Sequence, residues 1–116
     1  MTLNEARIGW AAGLFDGEGT VLIRRSAPHG REINFIYSLS VELSVNHASA
    51  VYRLQEYFGG SVRVARKTRA RRDTYSWNLG PQQAASFLRI VLPHLVVKHD
   101  EAKVGLELQG RVDSYV

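Results

Sequence analysis

The chain contains no cysteine among its 116 residues. That absence excludes a disulfide-stapled scaffold, a thiolate zinc site and a cysteine nucleophile together. Proline is sparse as well: the three prolines are Pro28 in a turn signal, Pro81 at a helix start and Pro93 between two helical patterns. No apolar run approaches the roughly 20 residues needed to cross a bilayer. The first sixteen residues carry acids where a secretory signal begins with basic side chains. A soluble, intracellular protein with no membrane partner is expected, placed in the cytoplasm or an organelle of its host. Hydrophobic residues make up 45% and charged residues 22%, which suits a globular core, and the length leaves room for one domain over 1–116.

Acids are the scarcer charge, eleven against fifteen Lys and Arg, for a net charge of +4. The imbalance is concentrated. Residues 24–72 hold ten basic residues against three acids, a segment of +7, and the remainder carries −3. Twelve of the fifteen cations are Arg, whose planar fork suits phosphates and guanine edges better than a Lys ammonium does. A charge run such as 67–72 is by itself only a solvated hairpin tip. Its meaning depends on where the strands place it.

Hydrophobic spacing predicts a helix over 3–15 with Thr2 or Asn4 as N-cap, ended by the glycines around Asp16 and Glu18. A strand over 20–27 places Val21 and Ile23 on one side and Thr20, Leu22, Arg24 and Ser26 on the other; a turn at 28–30 follows. Residues 35–45 alternate most clearly, with Phe35, Tyr37, Leu39, Val41, Leu43 and Val45 packing and Ile36, Ser38, Ser40, Glu42, Ser44 and Asn46 opposite. A second helix fits 48–58 before Gly59 and Gly60. Strands follow over 61–67 and 74–79, the second burying Tyr75, Trp77 and Leu79. A third helix begins at Pro81 with Ala84, Ala85, Leu88 and Val91 in its stripe, and a last one over 99–109 uses Ala102, Leu106, Val104 and Leu108.

The order αββαββα, with one more helix, predicts an α+β fold: a four-stranded antiparallel sheet with helices on one face. The open face would present Arg24, Ser26, Ser38, Ser40, Glu42, Ser44, Arg63, Lys67, Thr74, Ser76 and Asn78. Short hydroxyl and amide side chains interleaved with Arg suit contacts to base edges and phosphates. A merely solvated face would mix Lys and Glu more evenly.

Two features of the first helix call for a physical reason. Gly9, Gly13 and Gly17 recur every fourth residue with Ala12 alongside, although each helical glycine costs about 1 kcal/mol relative to alanine. The repetition implies another backbone, most simply a helix, coming very close. Glu18 lies at the helix C-terminus with Asp16 two positions before it, where the macrodipole is negative. A bound hard cation such as Mg²⁺ would relieve that repulsion, completing its shell with water and phosphate oxygens. A solvated Asp-Gly turn is the plainer alternative.

Residues 11–19, Ala11-Ala12-Gly13-Leu14-Phe15-Asp16-Gly17-Glu18-Gly19, resemble the signature of the LAGLIDADG homing endonucleases, and the ββαββα order after it resembles the family's domain. Ala11, Phe15 and Glu18 depart from the usual residues, but Glu18 keeps the carboxylate. The resemblance implies a site-specific DNA endonuclease that makes a metal-dependent double-strand break in a long, roughly palindromic target, in intron or intein homing. With one motif copy it implies a homodimer through the motif helix, with Gly9, Ala12, Gly13 and Leu14 at or near the interface. It places metal binding on Glu18, with Gly17 beside it, and makes Asp16 a structural acid. Mg²⁺ is the implied cofactor, with Mn²⁺ substituting and Ca²⁺ binding without efficient cleavage.

Pro93-His94-Leu95-Val96-Val97-Lys98 resembles the family's segment before a catalytic lysine, which makes Lys98 the second catalytic candidate. His47, or Asn46, stands where the family orients water, and Arg53 where some relatives carry a basic residue. His29, His94 and His99 receive no role. On double-stranded DNA, Arg24, Ser26, Ser38, Ser40, Glu42, Ser44, Arg63, Lys67, Thr74 and Ser76 would read bases, and Arg66, Arg69, Arg71 and Arg72 would hold phosphates. A DNA-binding regulator that has lost cleavage, or an RNA-splicing maturase, is the alternative within the same fold.

Overall fold

The computed structural model describes residues 2–26, 36–66 and 73–114. The expected turn at 28–30, the strand ends at Ala27 and Phe35, and the cations Lys67, Arg69, Arg71 and Arg72 lie outside them.

The first helix, α1, covers Glu5–Glu18 and is capped by Asn4, whose side chain accepts from the Arg7 amide at 2.9 Å. It runs three residues further than the spacing predicts. Gly19 does not break it by turning to positive φ; it adopts an extended conformation, φ −85°, and opens strand β1, Gly19–Ser26. Helix therefore passes into strand with no loop. Glycine is needed at 19 for space, because a Cβ there would overlap the ring of Phe15.

Strand β2, Ile36–Val45, is followed by helix α2, Ala48–Phe58, with the bounds that its sequence predicts. Gly59 and Gly60 end α2 at positive φ, 76° and 94°, a region open to glycine at little steric cost. Strand β3, Ser61–Ala65, stops before Arg66, which was expected within it, and β4, Thr74–Leu79, returns beside it. Helix α3, Pro81–Val91, leads through a single 3₁₀ turn at Leu92–His94 to helix α4, His99–Asp113. The sheet order is β1-β2-β4-β3 with every pairing antiparallel.

The helices cover one face. Leu39, Val41 and Leu43 of β2 and Trp77 and Leu79 of β4 are buried against Ala11, Ala12 and Phe15 of α1 and the inner faces of α2 and α3. Phe87, which the predicted α3 stripe omits, is the centre of this core. Its ring meets Phe15, Phe58 and Trp77 edge-on at centroid distances of 5.2, 4.8 and 5.1 Å.

Three expectations for packing are corrected. Tyr37 and Ile23, toward the far end of the β1–β2 ladder from Gly19, remain 41% and 42% exposed. Val104 points to solvent. The inner face of α4 instead carries Ala102, Gly105 and Gln109, and a Cβ on Gly105 would stand 2.8 Å from Leu39.

Gln109 has a specific task. Strand β4 ends at Leu79, opposite Val41, so it cannot pair with β2 at Leu39. The Leu39 amide donates to Gln109 Oε1 at 3.2 Å, and Gln109 Nε2 donates to Asp113, which also accepts from Gln82. A buried backbone donor left without an acceptor would be costly.

Replacing Phe87 with Ala removes all three aromatic contacts at once. Chemical denaturation should show a loss of about 3–5 kcal/mol.

Candidate nucleic-acid interface

Register sets the open face of the sheet. Thr20 of β1 pairs with Glu42 of β2, Glu42 with Asn78 of β4, and Asn78 with Ser61 of β3, forming one cross-strand row. The next row toward the β2 C-terminus is Ser44, Ser76 and Arg63. In the other direction lie Leu22 with Ser40, then Arg24 with Ser38. The expected strand contacts Arg24, Ser38, Ser40, Glu42, Ser44, Arg63, Thr74 and Ser76 thus share a face, as does Ser26 by backbone register, and Arg66 is exposed just beyond β3. Thr20, Ser61 and Asn78 belong to the same surface although they were not expected to contact DNA. The phase of β1 and β3 would have placed the first two once the register was known. The face also carries Leu22 and the 52% exposed Ile36, so it is less uniformly polar than alternation suggests.

Hydroxyl and guanidinium groups on this face already hold one another. Ser44 and Ser76 share a 2.7 Å hydrogen bond between hydroxyls, and Arg24 Nε donates to the Ser40 hydroxyl at 3.3 Å.

Glu18, the last residue of α1, sits one position beyond the final β1–β2 pair, Gly19 with Leu43, and so comes beside Ser44. With Ser44, Val45, Asn46, His47 and Thr74 it lines an open cleft of about 480 Å³ at the end of the sheet. His47 is the N-cap of α2 but makes no capping bond with its side chain, leaving both ring nitrogens available. It also lines an adjoining cleft of about 360 Å³ with Trp10, Ser49, Ala50 and Arg53. Glu18, His47, Asn46 and Arg53 are therefore neighbours around one region.

Lys98 approaches from elsewhere. A helix turns about 100° per residue, so Asp16 and Glu18 project to nearly opposite sides of α1. The Asp16 carboxylate turns toward the segment before α4, where it accepts from the amides of Val96, Val97 and Lys98 at 3.0, 3.1 and 2.8 Å. The Lys98 ammonium donates to the Asp16 main-chain oxygen at 3.2 Å. Lys98 is thereby held at the C-terminal end of α1, next to the turn bearing Glu18, but it does not line the Glu18 cleft.

The Lys98 amide holds the Asp16 carboxyl below its usual range; the Val96 and Val97 amides and the Lys98 charge act in the same direction, against partial burial. Glu18 has no such partners: it makes no hydrogen bond or ion pair among the described residues. Nor do those residues include a cluster of three metal-ligating side chains, and one chain offers the cleft a single carboxylate. The last carbonyls of a helix lack intrahelical donors, which leaves the Gly17 oxygen available beside it. One carboxylate and one carbonyl suit a hard divalent cation that keeps most of its water or takes phosphate oxygens.

On the outer side of α1, Gly9, Gly13 and Gly17 are exposed, and a Cβ on any of them would meet nothing within 4 Å. Ala12, expected at or near the interface, is 1% exposed and packs its side chain into the chain's own core, whereas Leu14 is half-buried.

No protein-family model and no curated protein matches the chain. Solved structures do. The homing endonuclease I-CvuI, crystallised with the I-CreI target in the presence of magnesium with the DNA not cleaved, superposes with TM-score 0.78 at 17% identity over 94% of this chain and 69% of that one. The archaeal intron-encoded homing endonuclease I-Vdi141I, complexed with DNA, gives TM-score 0.72 at 14% identity, covering 91% and 68%. The I-SmaMI LAGLIDADG homing endonuclease, bound to cleaved DNA, gives TM-score 0.66 at 18% identity over 95% of this chain and 38% of that chain. This chain has the LAGLIDADG homing endonuclease fold. In that fold α1 and the first residue of β1 carry the motif residues 11–19. No helix among the described residues is long and apolar enough to cross a membrane.

The amide clamp predicts an acid-sensitive contribution to stability. A carboxyl with a lowered folded pKa stabilises the protein above its unfolded value of about 3.9, and that contribution is lost as pH falls through the folded value. Asp16→Asn should therefore lower the melting temperature at neutral pH, with the difference from wild type narrowing in melts below about pH 4.

Proposed function

We propose that the protein is a site-specific DNA endonuclease that makes a metal-dependent double-strand break in a long, roughly palindromic duplex, as a homodimer built on α1, in intron or intein homing. The observation that carries this reading is the placement of Glu18, unpaired, at the end of an Arg- and Ser-bearing sheet face in a chain with the LAGLIDADG fold. The I-CvuI, I-Vdi141I and I-SmaMI structures of that fold hold DNA, which supports double-stranded DNA as the partner.

The polar face would lie in the major groove, where Ser, Thr, Asn and Arg reach base edges, while Arg66 and the cations at 67–72 meet phosphates. Glu18 and the Gly17 carbonyl would hold Mg²⁺, with Mn²⁺ substituting and Ca²⁺ supporting binding rather than efficient cleavage. When bound there, the ion would supply charge neutralisation at the scissile phosphate and acidify a water. His47, with no capping bond to occupy it, would orient the attacking water and accept its proton. Lys98, held on Asp16 beside the turn bearing Glu18 but outside its cleft, would meet the developing negative charge on phosphate by turning its ammonium toward it. Two-fold pairing through the glycine face would bring one Glu18 from each chain to the centre, one for each DNA strand.

Glu18→Gln should abolish Mg²⁺-dependent cleavage of a target selected from a random duplex library, with duplex affinity nearly unchanged in a gel-shift assay. Full cleavage by this variant would remove Glu18 from the site, and binding without cleavage by the wild type would favour the regulator. Gly13→Ala tests the pairing separately. It gains about 1 kcal/mol of helix propensity in the isolated chain, yet sedimentation should show a weaker dimer and cleavage should fall in parallel.

A further inference from the structure

Glu42 is the one carboxylate among the described strand residues on the open face, where Arg24 and Arg63 are the cations. It stands in the middle of β2, half-buried, between Thr20 and Asn78, and makes no hydrogen bond or ion pair among the described residues. Arg24 is turned to Ser40 and Arg63 lies in the neighbouring row, so neither neutralises it. On a surface that meets a polyanion, an unpaired acid weakens binding to every phosphate near it. A partner that donates a hydrogen bond to the carboxylate would offset that cost.

An ionised carboxylate accepts hydrogen bonds and cannot donate. In the major groove the donors on base edges are cytosine N4 and adenine N6, and adenine sets its N7 acceptor beside N6, against the second carboxylate oxygen. Guanine and thymine present acceptors there.

We propose that Glu42 determines specificity by accepting a hydrogen bond from the N4 amino group of a cytosine, once in each half-site of the duplex. The proposal rests on the endonuclease reading and deepens it. Glu42 lies two residues along β2 from Ser44, which borders the Glu18 cleft. Two strand residues advance about 6.7 Å, close to two base-pair steps. The cytosine therefore falls in the inner part of each half-site.

The test uses the full chain, wild type and Glu42→Gln, to select bound duplexes from a fully randomised library in Ca²⁺. Wild type should enrich a two-fold-related pair of cytosines at an inner position. Glu42→Gln, which can both donate and accept, should move that position alone to adenine, with about a tenfold change in relative preference. Glu42→Ala should leave the other positions intact and lose discrimination at this one, and serves if the Gln variant fails to fold. Uniformly tighter binding with the same enriched sequence in both variants would make Glu42 a charge filter and overturn the proposal. An unchanged profile with unchanged affinity would overturn it as well. A wild-type chain that enriches no duplex would overturn the endonuclease reading beneath it.

Discussion

The arrangement depends on one constraint: α1 passes into β1 without a loop. Phe15 fixes the helix end in the core through its edge contact with Phe87, and its ring occupies the space that a side chain at Gly19 would need. The backbone must then leave the helix directly in extended form. Glu18 consequently has no freedom as a loop residue. It stands one position beyond a continuous eight-pair ladder between β1 and β2, at the end of the sheet. A group held by a helix and a strand together keeps its geometry better than one carried on a loop.

The two acids near this junction meet opposite electrostatic fates. The last turn of α1 has no basic residue, so both carboxylates face the negative end of the macrodipole. Asp16 recovers through three amides and the neighbouring Lys98. Those bonds also seat the segment before α4 against α1, so the acid that steadies the junction positions Lys98 as well. Glu18, turned the other way, has no donor within the described chain. Exposed and unpaired there, it is left open to a cation.

Much of this was legible from residue spacing. The bounds of α2 and β4, the start of α3 and the alternation of β2 follow from apolar period, glycine and proline, since each of those signals is local. Asn4 as cap and the extension of α1 to Glu18 were not fixed by the same rules. Gly17 and Gly19 carry the composition of a helix stop, and only the contact with Phe15 shows that space rather than positive φ selects glycine at 19. Phe87 fell outside the predicted stripe because its importance arises from three partners distant in sequence. Gln109 was invisible for a similar reason: the amide it satisfies exists only because β4 ends two residues short of Leu39. For the candidate site, Glu18, His47 and the shared strand face were readable from motif and alternation. The anchoring of Lys98 by Asp16, and the burial of Ala12 in the chain's own core, required the packing.

Apart from the positive-φ pair Gly59 and Gly60, two groups of glycine bear on assembly. Gly19 and Gly105 are small because the chain's own side chains fill the space beside them. Gly9, Gly13 and Gly17 have open space, so nothing within the described chain explains their cost to α1. Residues four apart on a helix share a face, and Glu18 follows Gly17 by about 100° around the axis. The side of α1 stripped of side chains therefore adjoins the side bearing a lone carboxylate. A second copy, packed across a two-fold axis on the stripped side, would bring its own Glu18 alongside. The same contact would fill the bare surface and supply the second acid, which links the two unexplained features of one helix to a single cause.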